Sequence, residues 1–169
     1  MSRTCTRRAS TRNCGTASGQ SPRSPSTKAR CFISAQPDAN LVQARRWLQQ
    51  AASELACARW IGQGKMWAQA CFFCQQAAEK ALKAVLVRAG QRRIRTHSIV
   101  RLLRHASAYE PAFTALLAEA PRLDRDYIGT RYPNGMATAG ELWEERDFRR
   151  AESVAARIIE LVEPIISAN

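Results

Sequence analysis

Three stretches of this 169-residue chain gather side chains able to handle an anion. The first is Gln75-Gln76-Ala77-Ala78-Glu79-Lys80-Ala81-Leu82-Lys83. Glu79 and Lys83 stand four apart, acid first, the order that favours pairing along a helix. Gln76, Lys80 and Lys83 fall on one side of that helix. They read either as a solvated face or as a basic pair beside an amide that holds a phosphate. The second stretch is Arg92-Arg93-Ile94-Arg95-Thr96-His97-Ser98. Three arginines precede a helix start with Thr96 as its N-cap, and the free N–H groups of such a start favour an anion. A plain surface loop with a cap is the equal alternative. The third is Asp124-Arg125-Asp126-Tyr127-Ile128-Gly129-Thr130-Arg131-Tyr132-Pro133-Asn134, spanning a helix end and the loop after it. Pro133 restricts Tyr132 to an extended backbone. Arg131 offers a forked donor suited to phosphate or carboxylate.

Cys71 and Cys74 form a C-x-x-C, which raises redox and zinc chemistry. No second C-x-x-C or His pair stands nearby to complete a zinc site. The segment from Trp67 to Leu86 reads as helix, without the preceding strand of a thioredoxin-like site. Both cysteines therefore read as small apolar residues on a core face. No metal ligand set is assigned.

The elements that must position these groups are helical. From Asp38 onward the apolar residues recur with a period of 3.6. A first helix over about Asn40 to Ile61 carries Ala44, Trp47, Leu48, Ala51, Leu55 and Ala58 on one stripe, with Gly62 and Gly64 closing it. A second covers about Lys65 to Ala89 and stops at Gly90; the short link between them predicts an antiparallel hairpin. A third covers about His97 to Ala108. A fourth starts at Pro111 and runs to about Ile128, with Pro121 able to bend or break it. A last helix covers about Leu142 to Ile166. No strand pattern and no internal repeat occurs. The expected fold is an all-α, up-and-down bundle of four to five helices.

The chain carries 26 Lys and Arg against 14 Asp and Glu, a formal charge of +12 that by itself suggests a nucleic-acid binder. The charge is unevenly placed. Residues 1–37 hold seven basic residues and no acid, and they are rich in Ser, Thr, Arg, Gly and Pro. They read as a disordered basic tail, either an unstructured extension, an organelle transit peptide or a start codon placed upstream of the native one. Residues 38–169 carry 19 basic and 14 acidic groups, leaving only +5, and form the folded domain. An apolar fraction of 46% excludes wholesale disorder. No run approaches the ~18–20 apolar residues of a membrane span.

Taken together, the three stretches resemble the HEPN domain, the nucleotide-binding helical domain shared by prokaryotes and higher eukaryotes. The resemblance rests on Cys71-x-x-Cys74-Gln75-Gln76-Ala77-Ala78-Glu79-Lys80-Ala81-Leu82-Lys83-Ala84, on Thr96-His97-Ser98 with Leu102-Leu103, and on Leu123-Asp124-x-x-Tyr127-Ile128-x-x-Arg131-Tyr132-Pro133. It covers about Asn40 to Ile166. It implies a cytoplasmic helical module that binds a nucleotide such as ATP, with Gln76, Lys80, Lys83, His97, Tyr127, Arg131 and Tyr132 as its candidate contacts and no cofactor beyond that ligand. It further implies a homodimer, a minimal nucleotidyltransferase as partner, and a toxin–antitoxin setting. Some branches are metal-independent ribonucleases whose signature is an Arg followed, after four to six residues, by a His late in the bundle. No His follows Arg131 here; the two histidines are His97 and His105. An RNA-cleaving alternative would use His97 with Arg92. A third alternative is a helical partner or scaffold that touches no ligand.

Overall fold

The computed structural model describes residues 28–133 and 137–168. Helix α1 spans Lys28–Gln63, α2 Trp67–Arg88, α3 Ile99–Ala106, α4 Ala120–Gly129, α5 Ala139–Leu142 and α6 Glu145–Ser167, and a 3-10 helix covers Pro111–Leu116. No strand occurs among the described residues. The all-α bundle expected from the apolar period is the observed fold.

α1 begins at Lys28, earlier than the apolar stripe alone predicts. The extension runs through Pro37, which has no backbone N–H, so one helical hydrogen bond is forgone there. The first 27 residues of the expected tail lie outside the described residues. At its other end α1 runs through Gly62 to Gln63. Gly62 is a packing residue: a Cβ there would sit 2.6 Å from Cε1 of Phe148 in α6. The turn that follows places Lys65 at a φ of 58°. α2 ends as expected, with Gly90 at a φ of 89° and its N–H bonded to the Val87 carbonyl at 2.9 Å.

α2 is the hub. It packs against α1, α3, α4, α5 and α6. Ala68, Ala70, Ala77, Ala78, Ala81 and Ala84 are fully buried, and these small side chains let neighbouring helices come close. Leu82, Val85 and Leu86 supply bulk. Cys71 and Cys74 are fully buried within the same helix. Burial pushes the Cys71 thiol up to about 12 and the Cys74 thiol up as well, so both are packing residues and poor nucleophiles.

Pro121 does break the fourth segment. The chain passes from the 3-10 helix into α4 with Pro121 in its first turn, where a missing N–H is harmless. Trp143, between α5 and α6, is buried and donates from Nε1 to Asp126 Oδ1 at 2.9 Å, pinning α4 to the start of α6. No described helix is long and apolar enough to cross a membrane.

Candidate functional site

α3 starts two residues later than expected, and its N-cap is Ser98, not Thr96. The reason lies in α4. Asp124 accepts from Ser98 Oγ at 2.6 Å, from the Ile99 N–H, and from the Val100 N–H at 3.4 Å. The anion that the α3 start attracts is therefore a carboxylate of the chain itself. This corrects the expectation that those N–H groups await a ligand.

The Asp124 bridge fixes the end of the Arg-rich loop against α4, and His97 is held there with it. Its ring stacks on Tyr127, centroids 4.9 Å apart and planes 9° from parallel. The Arg131 guanidinium lies over the Tyr127 ring at 4.3 Å, and within 5.2 Å of Phe72 in α2 and 5.6 Å of Tyr132. Arg131 Nε also donates to the Tyr127 carbonyl at 2.8 Å, one helical turn back. Cation, phenol and imidazole thus lie in series on one surface. Arg131 has no carboxylate partner among the described residues.

Beneath the stack lies a buried polar cluster on α2. Glu79 is 4% exposed, Lys83 7% and Gln75 0%. Glu79 Oε1 accepts from Lys83 Nζ at 2.8 Å, and Glu79 Oε2 accepts from Gln75 Nε2 at 3.2 Å. His97 Nδ1 meets both Glu79 oxygens, at 3.1 and 3.2 Å. Gln75 Nε2 further donates to the His97 carbonyl at 3.1 Å. An imidazole whose Nδ1–H faces a carboxylate keeps its Nε2 lone pair outward. The His97 side chain is half-exposed, so that nitrogen is within reach of a ligand.

Gln76 and Lys80 belong to a different contact. Lys80 Nζ donates to Glu54 of α1 at 2.9 Å and to Gln76 Oε1 at 3.1 Å. The α2 face is therefore neither a solvated surface nor an open phosphate grip, because α1 covers it and supplies the counter-charge. Of the candidate residues, His97, Tyr127, Arg131 and Tyr132 are brought together at the surface. Lys83 supports them from below, while Gln76 and Lys80 are tied to Glu54. Arg92 lines a groove with Trp47 and Lys83 instead of joining the stack.

Three contributors, Gln75, Phe72 and Asp124, were not singled out from the sequence. Gln75 and Phe72 sit in α2 at positions the apolar stripe leaves ambiguous. The pairing of Glu79 with Lys83 was legible from their spacing, but its contact with His97 was not. Asp124 carries no local sign that it caps a helix 25 residues earlier.

The HEPN domain model matches residues 44–165. TT1696, a solved protein of Thermus thermophilus, is 35% identical and superposes with a TM-score of 0.64, covering 72% of this chain and 97% of its own. ST0689, described as an archaeal HEPN homologue, is also 35% identical, with a TM-score of 0.61 over 73% of this chain and 98% of its own. No curated protein matches the chain closely enough to count as a relative.

Proposed function

The chain belongs to the HEPN domain family, and we propose that it is a nucleotide-binding helical module whose ligand sits on the His97–Tyr127–Arg131 stack. The observation that carries the reading is an exposed guanidinium with no carboxylate partner among the described residues, laid on aromatic rings beside a half-exposed imidazole. Arg131 binds a phosphate through its forked N–H groups. Tyr132, 61% exposed, offers a face for a base. His97 Nε2 makes the second polar contact. In this reading the module acts as a homodimer beside a minimal nucleotidyltransferase, as one half of a toxin–antitoxin-type pair.

Calorimetric titration of the full chain with ATP tests the core of it. Arg131→Ala should weaken binding at least tenfold with the helical circular dichroism intact. Unchanged affinity in that variant removes the assignment. Co-expression and pull-down with the neighbouring gene's product tests the partnership separately.

A second reading, metal-independent RNA cleavage, is favoured by one contact. The Glu79 carboxylate orients His97 as it would a general base for a ribose 2′-hydroxyl, while Arg131 steadies the phosphate. It replaces the Arg92 partner expected from spacing with Arg131. Incubation of purified protein with structured RNA and EDTA decides it: intact RNA refutes cleavage and leaves binding untouched.

A further inference from the structure

Lys83 faces two ways. Its ammonium pairs with Glu79 under the stack, and it also lies 5.8 Å from the centroid of the Trp47 ring in α1. On that second side it lines a groove of about 410 Å³, bounded by α1, the end of α2 and the loop after it. A volume of this size falls within the range of small-ligand sites.

The lining has the chemistry of a base with its phosphate. Trp47 supplies an aromatic wall, and Val87 and Ile94 add apolar surface. Arg92 is exposed and has no carboxylate partner among the described residues. Asn40 and Gln43 bring side-chain amides that have no hydrogen-bond partner among the described residues, and amides read the edges of bases. Groove and stack lie on either side of one buried ion pair: Trp47 and Lys83 on the groove side, Lys83 to Glu79 at 2.8 Å, and Glu79 to His97 at 3.1 Å on the stack side. Arg92 and Arg131, neither with a carboxylate partner among the described residues, stand at the two ends, and aromatic rings lie near each.

We infer that the Trp47–Arg92 groove is a second nucleotide subsite, so that the ligand is a single-stranded oligonucleotide and not a free mononucleotide. The inference rests on the reading of the His97–Tyr127–Arg131 stack as the first subsite. Arg92 holds a backbone phosphate, and Trp47 stacks a base.

Fluorescence anisotropy of a labelled six-nucleotide single strand, with the full chain and parallel titrations of ATP, tests it. The wild type should bind the strand more tightly than ATP. Trp47→Ala should weaken strand binding roughly 5- to 150-fold, the span expected for one stacked base. Arg92→Ala should lower the slope of log affinity against log salt by about 0.7, one phosphate contact on a single strand. ATP affinity should stay at the wild-type level in Arg92→Ala. Trp47 packs partly against the core, so if that variant loses its helical signal, the exposed Arg92 decides alone. Wild-type strand affinity and salt slope in Arg92→Ala, with Arg131→Ala still weakened, overturn the groove and leave the stack reading standing. A strand bound no more tightly than ATP overturns the groove as well. Loss of neither ligand in Arg131→Ala overturns both.

Discussion

Removing the Glu79 carboxylate should destabilise the protein far more than its place in a polar run suggests. Glu79 is 4% exposed and Lys83 7%. In Glu79→Ala the Lys83 ammonium stays buried with its carboxylate gone, and its remaining close contact is the Trp47 ring at 5.8 Å. Breaking a buried ion pair from one side costs about 3–5 kcal/mol. A domain of this kind is stable by roughly 5–15 kcal/mol in total, so the loss is a large share. In thermal terms it corresponds to a fall in Tm of roughly 6–20 °C for a chain of this size. Urea unfolding followed by far-ultraviolet circular dichroism measures it. The double variant Glu79→Ala/Lys83→Met removes both charges and should be more stable than Glu79→Ala alone, because no orphan ammonium remains. His97→Ala should cost less than about 1 kcal/mol, since that side chain is half in solvent. A loss below about 1 kcal/mol in Glu79→Ala, or a double variant no better than the single, would refute the buried-pair argument.

Asp124→Ala leaves the first N–H groups of α3 without their carboxylate and should cost about 1–2 kcal/mol in the same assay; an unchanged midpoint would mean that water replaces the cap at no cost. Burial raises the Asp126 carboxyl above its ordinary 3.8, an effect only partly offset by the Trp143 N–H. The folded state therefore holds that proton more firmly, and stability falls as pH climbs from 3.8 through the raised value. Asp126→Asn should remove this slope while keeping an acceptor for Trp143; a pH series of unfolding midpoints identical to wild type would contradict it. Cys71 and Cys74 should resist iodoacetamide at about pH 8 in the native protein and react once it is unfolded in urea, as mass spectrometry of the peptides would show; native alkylation of either would sink the assignment of both as inert core.

The bundle was legible because a 3.6-residue apolar period survives in every long segment, and because Gly90 and Pro121 act locally. Helix starts were less legible. α3 is capped by Ser98 with help from Asp124, a residue no local rule connects to it. Gly62 looked like a stop because glycine usually closes a helix, but it answers to the Phe148 ring on another helix. The candidate site followed the same division. The candidate residues were recognisable by type, yet their grouping was not, since Lys80 and Lys83 stand three apart and find different acids, Glu54 in α1 and Glu79 in α2.

The fate of the charges decides where an anion can go. Lys80, Lys83, Arg59 and Arg150 each have a carboxylate within 3.0 Å, and the start of α3 is taken by Asp124. These groups cannot greet a phosphate without first surrendering an internal partner. Arg131 can, because its stack on Tyr127 positions the guanidinium without neutralising it. Arg92 can for the simpler reason that no acid reaches it among the described residues. Residues 38–169 carry only +5 of the chain's +12, a modest general field for a nucleic acid. In the proposed site the phosphate contacts are Arg131 and Arg92, each worth about 0.7 in the salt slope on a single strand. A steep slope measured on this protein would therefore place the binding outside the described site.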